Sequence, residues 1–282
     1  VLARVVGTAV AAGVDAVSVL ATSGAGVTFD DAERDAVVRA AVEAAGSTGR
    51  GAVPVHVAVS GTSTREVLRR ARAAEAAGAS GLVLAPFAYT PLVDDEVLAL
   101  FSALAEAVPL PVCLYVKPLQ TGYDVTPDVL ARLVATTRVV AVKDPAVLPT
   151  RPAPRVETLR DAAGAAVSVG LSGDVPMLDD APAADAWHTG LAALAPAEYV
   201  AVRRDRVAGT PSPEGARARA WLLEVARALA TTRPVSGLHA LAVELGVPTA
   251  PPRGPSLPAT RDQHETLRSL VARRPAGPGT AR

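Results

Sequence analysis

The sequence is poor in the residues that would tie a chain to an oxidising compartment, a membrane or a polyanion. A single cysteine in 282 residues, Cys113, excludes an internal disulfide, and an unpaired thiol in an apolar run fits a reducing compartment, so a cytoplasmic location is expected. Gly, Pro, Arg or Asp interrupts every apolar stretch before it reaches the roughly 18 residues that a membrane span needs. Lys plus Arg and Asp plus Glu both total 28. With no net charge and no long run of one sign, the chain lacks the electrostatic footprint of a nucleic-acid or anionic-membrane partner. Small solutes are the expected partners. The four histidines, His56, His188, His239 and His264, show no metal-ligand spacing and have no cysteine pair beside them, so no metal is expected. The start lacks the basic n-region of a signal peptide. It opens on Val and the only methionine is Met177, so the chain is expected to begin inside its gene product.

What is present is apolar content of 50%, enough to bury one large core, in a length normal for a single α/β barrel. Apolar, β-branched runs recur at Ala16–Leu20, Val53–Val59, Gly81–Ala85, Pro111–Val116, Val139–Val142, Ala166–Leu171 and Ala186–Leu191. Between them, segments such as Asp30–Ala45, Thr64–Ala77, Asp94–Ala107 and Thr126–Ala135 carry helical periodicity. Ser63-Thr64-Arg65-Glu66 reads as a capping box, and Thr126-Pro127 puts Pro at the first helical position. Near-continuous apolar strands alternating with amphipathic helices require a parallel sheet covered by helices. The even repeat favours a TIM (β/α)8 barrel over an open doubly wound sheet. Val1–Ala12 reads as the helix that would follow a first strand, and that strand is absent from the sequence as it stands. The barrel is expected over 1–208, extra C-terminal helices (Pro213–Ala230, Pro234–Leu245, Ala259–Val271) over 209–273, and a disordered tail over 274–282.

Lysine is the most informative residue type, because 26 of the 28 basic residues are Arg and only Lys117 and Lys143 are Lys. Lys143 follows the run Val139–Val142, which points its amine at the carboxyl-end mouth where such barrels do chemistry. Two readings stand: a strand-end lysine reaching into solvent, or an amine desolvated enough to lose its proton and form an imine. Scarcity favours the second, since a merely solvated cation in this sequence would be Arg. Lys117, before Pro118, reads as a loop residue with a structural role.

Tyr115 ends another strand, either packed in the core with a satisfied hydroxyl or shuttling protons for the imine. Thr22-Ser23-Gly24 follows a strand end, where hydroxyls and backbone N–H groups can cradle a carboxylate. The same segment imitates a dinucleotide fingerprint, but the third glycine would fall at Phe29, which excludes that cofactor. His56 reads as a core histidine, whereas His188, beside Trp187, is the histidine expected to face the pocket and bind substrate. Asp30-Asp31, Asp94-Asp95 and Asp179-Asp180 read as helix-start or solvated residues.

In this order the motifs resemble those of the dihydrodipicolinate synthase / N-acetylneuraminate lyase family of class I aldolases. Ala21-Thr22-Ser23-Gly24-Ala25 resembles its Gly-Thr-Thr-Gly-Glu loop, Pro86-Phe87-Ala88 its Pro-Tyr-Tyr, Leu114-Tyr115-Val116-Lys117-Pro118 its Leu-Tyr-Asn-x-Pro, Ala141-Val142-Lys143-Asp144 its Gly-x-Lys-(Glu/Asp), and Gly173-Asp174 a later Gly-Asp. The resemblance covers roughly Leu2 to Ala208. It implies Lys143 as the imine-forming lysine, Tyr115 as the proton-transfer tyrosine, Thr22 and Ser23 as carboxylate binders with Ser23 also relaying protons to Tyr115, and Gly24, Gln120 and Gly173 in the substrate pocket. It implies a 2-oxo acid substrate, no cofactor, and a homodimer or homotetramer.

Three of the departures from the pattern bear on chemistry: the loop glutamate is Ala25, the second relay tyrosine is Ala88 with Tyr89 one place on, and the arginine before the Thr-Gly pair is Gln120 before Thr121-Gly122. Loss of that arginine removes a bidentate grip on a second carboxylate, worth ~2 kcal/mol or more, and speaks against dihydrodipicolinate synthesis itself. Three functions follow: a lyase or aldolase on pyruvate or a related 2-oxo acid, a dehydratase sharing the imine, and a family member that binds a ligand or partner without turnover.

Overall fold

The computed structural model describes residues 1–46, 51–151, 153–179 and 183–275. The chain opens with α1 (Leu2–Ala12), then alternates β1 (Val17–Val19), α2 (Asp31–Gly46), β2 (Val55–Ala58), α3 (Thr64–Ala76), β3 (Gly81–Leu84), α4 (Asp94–Ala107) and β4 (Val112–Tyr115). It continues through a short α5 (Pro118–Thr121), α6 (Pro127–Thr136), β5 (Val139–Pro145), α7 (Val156–Ala163), β6 (Ser168–Ser172), α8 (Asp174–Asp179) and β7 (Ala186–His188). Four helices follow: α9 (Pro196–Ala208), α10 (Pro213–Ala230), α11 (Pro234–Glu244) and α12 (Arg261–Val271).

The helix starts follow from local chemistry. The Ser63 and Thr126 hydroxyls accept from the third residue of α3 and α6, with Pro127 at the first position of α6. The reciprocal half of the expected capping box is shifted by one residue, because the Glu66 carboxylate accepts from Thr62 N at 2.8 Å. Asp30 and Glu33 cap each other's backbone N–H groups at the entry to α2, at 2.9 and 3.0 Å. The tail from 276 onward and Asp180 of the third acidic pair lie outside the described residues.

All seven strands pair in parallel and in sequence order, β1 through β7. The sheet curls until the loops after its first and last strands meet: a Cβ built on Gly190 would fall 2.1 Å from Ser23 Oγ. This is the TIM-barrel-like arrangement that the alternating pattern requires. Among the described residues no strand precedes α1, β1 pairs only with β2, and β7 only with β6. The main core lies between the strands and their covering helices and includes Leu82, Leu84, Phe101, Leu114, Leu133 and Leu171, all essentially fully buried. A second cluster joins Leu178 of α8 and Tyr199 of α9 to Trp221, Leu241 and Leu267 of the C-terminal helices. Trp221 Nε1 donates to Leu270 O at 2.8 Å, so the extension packs as a continuation of the barrel wall. Among the described residues no helix is long and apolar enough to cross a membrane.

Two strands, β5 and β7, end furthest from the sequence expectation. β7 stops at His188, with the chain turning at Gly190 into a 3-10 segment. β5 runs on through Lys143, Asp144 and Pro145, so Lys143 sits within the strand, paired with Tyr115 on one side and Gly170 on the other. The strand tolerates a fully buried Asp144 because two guanidinium groups meet it: Arg155 at 2.9 Å and Arg151 at 3.0 Å. Burial pushes the Asp144 carboxyl up, and Arg155 and Arg151 pull against that.

Candidate active site

The loop after β1 is held in a conformation few sequences adopt. Leu20 and Ala25 have φ of 61° and 48°, in the left-handed region that disfavours side chains with a Cβ. Gly26 is obligatory, since a Cβ there would lie 1.8 Å from Leu20 O. The loop is pinned from below by Arg34, a buried residue of α2, which donates to Gly26 O at 2.6 Å and to Ala58 O at the end of β2. Burial, then the charge of Arg70, lowers the Arg34 pKa to about 10. In the sequence Arg34 is one position of the helical run Asp30–Ala45; its reach to Gly26 O and Ala58 O is a tertiary property.

Pinned this way, the loop exposes Thr22, Ser23 and Gly24 at the mouth. Thr22 Oγ1 stands 3.5 Å from the Tyr115 hydroxyl, a long contact for two hydroxyls. Ser23 Oγ instead lies against Gly190. The hydroxyl next to Tyr115 is therefore that of Thr22, whereas the resemblance implies Ser23 in that place. Reversal of the backbone at Leu20 turns the two side chains to different neighbours.

Tyr115 is buried at the end of β4, and across the strand pair Lys143 Nζ sits 3.9 Å from the centre of its ring. Burial lowers the Lys143 pKa from 10.5 to about 8, against the opposing pull of Cys113 and then Asp174. Cys113, two residues before Tyr115, is pushed up to about 12 by burial, so its thiol stays protonated and inert beside the amine. His188 also faces this interior: burial, then the positive Lys143 and His56, takes its pKa down to about 3. A neutral imidazole results, resting over Gly170, where a Cβ would come within 2.5 Å of Nε2.

Asp174, after Gly173 at the end of β6, accepts from the Thr189 and Tyr199 hydroxyls, each at 2.5 Å. Gly173 makes the turn into α8 with φ 111°. Gln120 is exposed on α5; its backbone N–H donates to Lys117 O at 3.0 Å, and its side chain has no hydrogen-bond partner among the described residues. Tyr89 is 97% exposed and does not replace the tyrosine absent at Ala88.

One residue reads as structural in the sequence and stands at the site in the structure. Lys117 Nζ donates to Thr22 Oγ1 at 2.9 Å and lies 5.3 Å from the centre of the Tyr115 ring. Lysine scarcity, which singles out Lys143, was the available signal for it too. Of the remaining histidines, His239 and His264 bond within the C-terminal helical region, to Ala250 O and to Glu244. No group of three metal-ligating side chains occurs among the described residues.

The model of the dihydrodipicolinate synthetase family matches residues 1–274. The chain is similar to the 4-hydroxy-tetrahydrodipicolinate synthase of Sorangium cellulosum, with 34% identity over 275 residues that cover 95% of this chain and 88% of that protein. The 4-hydroxy-tetrahydrodipicolinate synthase 1 of Streptomyces coelicolor is 44% identical over 137 residues, 48% of this chain and 43% of the relative. Several curated relatives are thus matched over less than half of their own length. The fold is similar to that of a dihydrodipicolinate synthase from Agrobacterium tumefaciens, with TM-score 0.86, 26% identity, and 96% and 90% of the two chains covered.

Proposed function

The chain belongs to the dihydrodipicolinate synthetase family, and on that premise we propose that it is a lyase or aldolase forming an imine between Lys143 and a 2-oxo acid. The observation that carries this reading is the amine of the half-buried Lys143, held 3.9 Å from the centre of the Tyr115 ring, where desolvation lowers its pKa to about 8. About a tenth of such an amine is neutral at pH 7, against roughly one part in a few thousand for an ordinary lysine.

The neutral Nζ adds to the ketone carbon, forming a C–N bond and a carbinolamine. The Tyr115 hydroxyl supplies the proton with which the oxygen leaves as water, and Thr22 is the hydroxyl within reach to pass protons to Tyr115. The resulting iminium withdraws electrons from the adjacent carbon, so a neighbouring C–C or C–O bond breaks or an enamine attacks an aldehyde. His188, being neutral, lines the pocket as a hydrogen-bonding group and not as a cation. An exposed Gln120 at the arginine position supports a reaction that brings no second carboxylate into the site.

Borohydride reduction in the presence of pyruvate tests this reading. It should leave one carboxyethyl group on Lys143, found by intact mass and peptide mapping, and none in Lys143→Ala. An unmodified wild-type chain across a panel of 2-oxo acids would remove the proposal. A second reading, ligand binding without turnover, is favoured by the solvent-exposed Tyr89 and the Ala at 88, which leave the relay without its second tyrosine. Under that reading 2-oxo acid binding survives Lys143→Ala unchanged.

A further inference from the structure

We propose that Lys117 is the cation that receives the carboxylate of the 2-oxo acid, with Thr22 beside it. This rests on the imine reading of Lys143. The two lysines of the chain flank one ring, their Nζ atoms 5.3 and 3.9 Å from the centre of Tyr115, so a single small molecule reaches both. One nitrogen bonds covalently to C2, and the other stands where an anionic group of the same molecule is oriented.

Lys117 has no carboxylate of the protein to neutralise it: among the described residues its ammonium contacts only the Thr22 hydroxyl and the face of Tyr115. Arg151 and Arg155, half-buried like Lys117, by contrast share the Asp144 carboxylate. Nor does Lys117 act by tuning the nucleophile, since the lowering of the Lys143 pKa comes from burial and not from Lys117. An ammonium can only donate, so Thr22 Oγ1 accepts from Lys117 and keeps its own proton for Tyr115 or an incoming oxygen. Lysine also suits the task by shape. A compact point charge meets one carboxylate oxygen without the planar fork of a guanidinium. Lys117 stands immediately before α5, three residues ahead of Gln120, and serves the carboxylate of the 2-oxo acid, not the second carboxylate that an arginine at 120 would grip.

The test compares pyruvate with methyl pyruvate, which keeps the reacting ketone and lacks the negative charge. The concentration giving half-maximal borohydride-trapped adduct is measured for each probe on wild type, Lys117→Met and Lys117→Arg. Wild type should prefer pyruvate. Lys117→Met should weaken pyruvate by roughly ten- to a hundredfold with little change for methyl pyruvate, whose adduct on Lys143 also reports that the variant is folded. Lys117→Arg, which keeps the charge, should keep part of the preference. An adduct on Lys143 with an unchanged pyruvate preference in Lys117→Met overturns this proposal and leaves the imine reading standing. No adduct on wild type with either probe overturns both.

Discussion

Tyr115 and Lys143 are register partners on adjacent parallel strands, and the lysine nitrogen lies 3.9 Å from the ring centre of the tyrosine. The ring and the hydroxyl of Tyr115 therefore act separately. The ring face favours the protonated amine electrostatically and keeps water from it, while the hydroxyl reaches toward Thr22. Tyr115→Phe keeps the first and removes the second. It should lower turnover of a 2-oxo acid substrate by about 10²–10⁴-fold, with the pH midpoint of borohydride trapping unmoved. A midpoint displaced by a full unit in Tyr115→Phe would mean that the hydroxyl, and not burial, sets the state of the amine.

Trapping should itself depend on pH with a definite sign. Only the neutral amine attacks, and Lys143 loses its proton around pH 8. The initial rate of adduct formation with pyruvate should rise about tenfold per pH unit below that value and level off above it. A rate that still climbs about tenfold per unit between pH 8 and about 10 contradicts the desolvated amine.

The same burial predicts a trade between stability and reactivity. Lys143 binds its proton less tightly in the folded chain, at about 8, than the ordinary value of 10.5. Unfolding between those values takes up a proton, so stability rises with pH across that window, and below about 8 the whole penalty, roughly 3 kcal/mol, is in force. Lys143→Met should raise the urea midpoint at pH 7, with the gain shrinking as pH approaches 10.5. Equal or lower stability of Lys143→Met at pH 7 would count against it.

Asp144 should matter to the fold more than its neighbour does. It is fully buried between Arg151 and Arg155, and Arg155 also holds Val125 O at 2.8 Å and Asp124 at 2.7 Å. Asp144→Asn leaves Arg151 without a carboxylate and Arg155 with Asp124 alone, and should cost about 3–5 kcal/mol in equilibrium unfolding. A loss well under 1 kcal/mol would show that water reaches those arginines.

Gly170 and His188 should be coupled. A Cβ at 170 meets the imidazole at 2.5 Å, so Gly170→Ala should destabilise by about 1–3 kcal/mol. Adding His188→Ala should recover most of that loss. Additive losses in the double-mutant cycle would show that the two side chains do not share space.

The strands were legible because β-branched runs such as Val139–Val142 carry their own preference, and the caps because Ser63 and Thr126 act within three residues of themselves. The continuation of β5 through Lys143-Asp144-Pro145 was not, since the charges that permit it come from the following loop. At the site, Tyr115 and Lys143 are strand residues whose direction follows from alternation. Thr22 and Ser23 sit in a loop reversed by two left-handed residues, where neighbouring side chains cannot be assigned to faces from spacing alone. Arg34, Lys117 and the Gly170–His188 contact depend on which loops the closing sheet brings together, a long-range outcome that no local pattern encodes.

The pairing of both lysines around one tyrosine ring has a spectroscopic consequence. Protein grown on ¹⁵N-lysine in an otherwise unlabelled medium would carry isotope at Lys117 and Lys143 only. Every signal in its nitrogen spectrum would then report on the mouth of the barrel, free of background from the rest of the chain.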